Sequence, residues 1–318
     1  MITTLTRWQL VILRANLVAQ AAIVVTGALV RVTSSGLGCP TWPECVPGSI
    51  TPTSNQTQSW HKYVEFGNRM LTGALMLIAL ATVITVVLIN RQRVRAGLVK
   101  RKNLTKLAVG IVLGIFAQAV LGGITVLTHL NPLTVAAHFL VSMILIAVSV
   151  ALLVRASESD DAVQTTVAKP VRYLIQAIAA LALLIIVLGT LVTGTGPHAG
   201  DTADVPRIKI DPVTITHVHA TAVQLFFGLI IGLIVAVLAN NSPRIFLKRA
   251  LIVLAVSLGQ GIIGYIQYFT GLPWVLVAVH VLGACLLWIS VLSLQALTVQ
   301  PKTNLRVNQT DGMATELL

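Results

Sequence analysis

The chain is 318 residues long, 56% apolar and only 10% charged, and its 22 Lys and Arg against 10 Asp and Glu leave a net charge of +12. A soluble domain carries about 25% charged residues, so a water-covered surface of ordinary extent cannot be built from this composition. Soluble enzyme, disordered chain and nucleic-acid-binding module are thereby excluded; the composition is that of an integral membrane protein.

In chain order, eight stretches are apolar over the ~20 residues needed to cross the hydrocarbon. They lie near 11–32, 64–90, 105–127, 133–154, 172–193, 214–239, 249–269 and 274–297. The first is full-length and lacks a small-residue cleavage pattern, which speaks against a separate signal peptide. Both ends of the chain and the loops after spans two, four and six hold 17 basic residues, including the run Arg91–Lys102. The opposite side holds five: Arg31, Lys62, Arg69, Arg207 and Lys209. The positive-inside rule then places both termini in the cytoplasm of a cell-membrane protein. The basic run is read as a topology anchor touching anionic lipid.

The loop after span one reads Ser34-Ser-Gly-Leu-Gly-Cys39-Pro-Thr-Trp-Pro-Glu-Cys45. Two cysteines in an oxidising compartment can form a disulfide, either a staple for the loop or a redox-active pair. Span two opens with His61-Lys-Tyr-Val-Glu65-Phe-Gly-Asn68-Arg69. Glu65 is the one acidic residue in or at the edge of a span. It either pairs with Arg69 at i+4 or faces the bundle interior as a carboxylate available for proton transfer.

A repeat follows. Gln118, Gly122, Ile124, Thr128, Leu130, Val135-Ala136 and His138 recur at the same spacing as Gln260, Gly264, Ile266, Thr270, Leu272, Val277-Ala278 and His280. Gly27-Ala-Leu-Val30 is echoed by Gly189-Thr-Leu-Val192. Four spans per half bring both halves in from the same side, so the repeat is parallel, about an axis along the membrane normal. The fold expected is an all-α integral membrane protein: eight transmembrane helices in two tandem, pseudo-two-fold-related four-helix bundles. Residues 1–155 form the first bundle, 156–171 a cytoplasmic linker, 172–297 the second bundle and 298–318 a disordered cytoplasmic tail.

Polar residues inside the membrane are costly, and functional by default. His138, His219 and His280 fall in the first turns of spans four, six and eight, all running inward from the outer face. His219 and His280 come from the two even-numbered spans of the second half. As paired neutral imidazoles they can clamp a haem iron axially; zinc fits less well, because no Cys or carboxylate completes a tetrahedral set at that depth. His198, in the Gly-rich loop after span five, either caps a haem or shapes a turn. His217 points away from the face of His219, His129 sits in a short outer turn, and Cys285 is expected to be buried packing.

Taken together, Gly-x-Gly-Cys-Pro-x-Trp-Pro-x-Cys, Glu65-Phe-Gly-Asn68-Arg69, Ala137-His138-Phe139, Thr193-Gly-x-Gly-Pro-His198-Ala-Gly-Asp201, Val218-His219-Ala220 and Val279-His280 resemble the haem A synthase family over residues 10–297. The resemblance implies oxidation of the C8 methyl of haem O to a formyl group by successive hydroxylations, making haem A for terminal oxidases. It implies haem b in the second half on His219 and His280, and haem O as substrate in the first. There His138 matches a ligand histidine and Glu65 the family's essential glutamate. Cys39 and Cys45 match a loop cysteine pair of one branch. The partners implied are haem O, haem A, haem O synthase, terminal oxidase assembly and the lipid bilayer, with room for a homo-oligomer and none for nucleic acid. One departure stands out: the family's Glu-x-x-His has Asn68 in the histidine's place. His138 then binds the iron alone, or His61, two turns earlier, substitutes. The alternatives outside this family are a di-haem b-type electron-transfer cytochrome and a proton-coupled transporter.

Overall fold

The computed structural model describes residues 5–159, 163–201 and 205–301. Within them lie eight helices long and apolar enough to cross a membrane: α1 (Arg7–Val32), α2 (His61–Arg95), α3 (Lys102–Leu127), α4 (Pro132–Ser157), α5 (Lys169–Thr195), α6 (Pro212–Ala239), α7 (Arg244–Phe269) and α8 (Trp274–Ala296). The first seven cover their expected spans and most overrun them by a few residues, because the helix ends are set by caps and prolines beyond the apolar window; α8 stops at Ala296, one residue short of its expected 297. Asn131 and Asp211 accept backbone N–H bonds from Leu133 and Thr214, with Pro132 and Pro212 as the first helical residues behind them. Proline there supplies a helical φ and lacks a donor the helix could not use.

Each half closes into a ring. α1 packs on α2, α2 on α3, α3 on α4 and α4 back on α1; α5 to α8 repeat the same circuit. In each ring the even-numbered helices therefore stand diagonally opposed. The halves are joined through α1 with α8, α4 with α5 and α4 with α8. Exchanging the halves converts the first of these pairs into the second and returns the third to itself. That is the pattern of a two-fold axis running between α4 and α8. The loops follow it: Leu130 and Leu272, one repeat apart, both take positive φ in the turns leading to α4 and α8.

One apolar core fills the first ring around Leu13, Ala79, Val86, Leu104, Ile111 and Ile115. A second runs from the α1–α4 face through α5 to α8. Across the seam the Trp288 indole donates to the Met143 carbonyl at 3.0 Å, and within the first ring Asn16 donates to Ser149 at 3.0 Å.

Two short strands were not expected. β1 (Val163–Thr165) pairs antiparallel with β2 (Val299–Pro301). The linker between the rings is thus stitched to the chain leaving α8, and the tail expected to be disordered from 298 is ordered as far as 301. The rest of that expected tail, 302–318, lies outside the described residues.

Candidate functional site

His138 and His280 are the seventh residues of α4 and α8, and His219 is the eighth of α6. At 1.5 Å per residue all three lie about 10 Å below the starts of their helices. Each ring rests on a glycine of the preceding helix. A β-carbon at Gly122 would stand 3.3 Å from His138 Cε1, one at Gly189 3.5 Å from His219 Cε1, and one at Gly264 3.6 Å from His280 Cε1. The three glycines share a position, the twenty-first residue of α3, α5 and α7. A β-carbon would already crowd the imidazole at Gly122 and would just touch it at Gly189 and Gly264. A side chain longer than that of alanine would therefore press on the ring, and the glycine acts as a seat; small residues serve this end wherever membrane helices approach closely.

The backbone under two of the histidines is fixed as well. Gln118 donates to the His138 carbonyl at 2.8 Å and Gln260 to that of His280 at 2.9 Å. Nδ1 of His138, His219 and His280 is sealed from solvent without a hydrogen-bond partner. An unpaired buried polar atom costs about 1–3 kcal/mol, a cost that a ligand bound at the other ring nitrogen, Nε2, would leave in place. His219 and His280 stand on the diagonally opposed helices α6 and α8 at nearly the same depth. Two histidines on such helices of an apolar bundle are a donor set that could hold a haem iron from both sides; the donor set and the glycine seats fit that group.

The first ring departs from the second at one corner. The residue equivalent to His219, the eighth of α2, is Asn68, and the glycine that would seat it, the twenty-first of α1, is Gly27. A β-carbon at Gly27 would meet nothing within 4 Å. Asn68 Oδ1 is sealed and unpartnered. His61 is held at the outer end of α2, stacked on Trp60 at 4.0 Å with Nδ1 2.9 Å from Ser35 Oγ.

Glu65 is buried, 6% exposed, and both of its oxygens are engaged. Oε2 accepts the Cys39 backbone N–H at 2.5 Å, and Oε1 accepts Arg69 at 2.6 and 3.2 Å. The i+4 pair is thus present, and Arg69 also donates to the carbonyls of Cys39, Thr41 and Glu44. Together the two side chains clamp the loop closed by the Cys39–Cys45 disulfide. From that loop the Trp42 indole lies against Gly123, next to the glycine under His138. Sequence spacing exposed the Glu65–Arg69 pair, but not the Cys39 amide or the seat of Trp42, which depend on how the loop folds back.

The remaining candidates separate. His198 sends its Nε2 to the Leu272 carbonyl at 2.8 Å, while its own carbonyl accepts Arg31 at 2.7 Å. It therefore ties the α5–α6 loop to the α7–α8 turn and to α1, the turn-shaping alternative. His217 and His129 are exposed, and Cys285 is buried in α8 as expected. The glycine seats escaped sequence reading. Gly122, Gly189 and Gly264 were visible only as members of the repeat, and nothing in one helix reveals which side chain of another will cover it.

Residues 10–292 match the model of the COX15-CtaA family, cytochrome oxidase assembly protein. The chain belongs to this family. It is similar to a Heme A synthase of Geobacillus thermodenitrificans, 39% identical over 62 residues that cover 19% of this chain and 18% of that one. It is also similar to Heme A synthases of Lysinibacillus sphaericus (30% over 189 residues, 57% of this chain and 56% of the relative) and Listeria welshimeri (30% over 183 residues, 56% of each). The matched stretches thus span from under a fifth to little more than half of the relatives' own lengths.

Proposed function

We propose that this family member is a membrane oxidoreductase that converts the C8 methyl of haem O to a formyl group by successive hydroxylations and loss of water. The product, haem A, is destined for terminal oxidases. The observation that carries the reading is the recurrence of a glycine-seated histidine in both rings. In the second ring His219 and His280 would hold a haem b. In the first His138 would hold the iron of haem O. Haem b, when bound, supplies one-electron transfer, which no side chain of the protein can perform.

The chain's own residues do the rest. Gln118 and Gln260 fix the backbone beneath His138 and His280, so each ring has one place to stand. Trp42 and the disulfide loop cover the outer end of the first ring, limiting water at the oxidised carbon. Glu65, one helical turn above Asn68, is the carboxylate available to take up a proton or to face positive charge developing there, with Oε2 accepting a single N–H, that of Cys39. The apolar ring suits a substrate carrying a prenyl tail and entering from lipid. The excess of basic residues at one end of the helices supports an orientation with both termini in the cytoplasm of a cell-membrane protein.

The test is product formation. Membranes containing haem O synthase and this protein, in a host that makes no haem A, are extracted and the haems separated by chromatography. Haem A, or a hydroxylated precursor, is expected; haem O alone would contradict the reading and favour an electron-transfer cytochrome.

A further inference from the structure

The molecule can be read as four helical hairpins, α1–α2, α3–α4, α5–α6 and α7–α8. Each carries a glycine as the twenty-first residue of its first helix. In three hairpins a histidine at the seventh or eighth residue of the second helix lies on that glycine, and in the first hairpin the matching residue is Asn68. The space an imidazole would fill is open there. A β-carbon at Gly189 has the His219 ring at 3.5 Å, whereas one at Gly27 has nothing within 4 Å. Asn68 does not substitute for the missing ring: its side chain is shorter, and a neutral amide is a poor donor to iron. Its Oδ1 is instead left sealed and without a partner.

No neighbouring group is free to move in. His61 is stacked on Trp60 and bonded to Ser35 two turns away, Glu65 is bonded at both oxygens, and Arg69 is spread over the carbonyls of the disulfide loop. Within 4 Å of a β-carbon at Gly27 there is therefore no ligating side chain, and the sealed Asn68 Oδ1 does not border a water-sized space. That leaves the position to a small exchangeable ligand held by the iron and not by Asn68.

We propose that haem O in the first ring is held through His138 alone, its opposite face open to a small exchangeable ligand lodged between Gly27 and Asn68. This rests on the first ring being the haem O site. It makes the two rings unlike in coordination as well as in occupant: the second is closed by His219 and His280, the first is open.

The experiment uses the purified full-length protein loaded with haem O, examined by ferric absorption and electron paramagnetic resonance, and by carbon monoxide binding after reduction. Two populations are expected: a low-spin haem that refuses carbon monoxide, and a high-spin haem that binds it and is lost in His138→Ala. Asn68→His should turn the second population low-spin and abolish carbon monoxide binding. Gly27→Leu should leave it high-spin but shut carbon monoxide out. A wholly low-spin preparation overturns the proposal. So does an Asn68→His protein whose high-spin signal is unchanged, or a high-spin signal that follows His280→Ala instead of His138→Ala. Undiminished haem O content in His138→Ala is a different failure, because it removes haem O from the first ring and with it the functional reading on which the proposal stands.

Discussion

Glu65 carries two duties that a single substitution can separate. As a clamp it holds the Cys39 amide and the Arg69 guanidinium; as a proton group it would use a lone pair that they leave open. Glu65→Gln keeps one acceptor oxygen but removes the charge. Losing one member of a buried ion pair costs about 3–5 kcal/mol. Here the Arg69 side chain is 22% exposed and keeps its loop carbonyls, so a loss of about 1–2 kcal/mol is expected, lower in that range at higher salt. The protein should still fold, retain haem b and accumulate haem O or a hydroxylated intermediate, as read by chromatography of extracted haems. Normal haem A output would leave Glu65 the clamp alone. Cys39→Ala and Cys45→Ala should give equal defects in haem A yield, since each opens the same bond. A defect in one variant only would point to a separate role for that thiol. The i+4 spacing of Glu65 and Arg69 was legible in the sequence, as were the cysteines. The Cys39 N–H was not, because a backbone amide has no sequence signature and the loop must fold first.

At the scale of the helix, the central device is a glycine fixed in register with a histidine one helix on. Gly264→Leu should push His280 off its seat and lower haem b content, measured as haem per protein by pyridine haemochrome, with helical content by circular dichroism unchanged. Gly228→Leu, in α6 with nothing within 4 Å of its β-carbon, serves as the control and should keep its haem. Equal haem loss in the two variants would mean that bulk anywhere in the bundle is harmful and that the seat is not special. The spans themselves were plain from hydropathy, since ~20 apolar residues leave little choice in lipid. Their ends were less so, because Asn131, Asp211 and the prolines act outside the apolar window. The seats were hidden for a deeper reason: glycine is common in membrane helices, and only the packing shows which ones are covered. The two-stranded ribbon of 163–165 with 299–301 was equally hidden, since neither segment pairs locally.

For the whole molecule, the duplication visible in the sequence becomes two rings whose mutual contacts exchange under a two-fold axis between α4 and α8. That symmetry puts the histidines of both rings at one depth, which in the proposed orientation is the outer leaflet. Cysteines introduced at Asn55 and Gly97 should label from opposite sides of the membrane, Asn55→Cys from the outside; labelling of both from one side would refute the topology. The diagonal pair His219 and His280 is proposed to hold a haem b, and the absorption spectrum of the purified protein decides it. The parent should show a low-spin b-type haem that His219→Ala and His280→Ala each abolish or convert, while His217→Ala leaves it intact. An unchanged low-spin spectrum in both His219→Ala and His280→Ala would contradict the account.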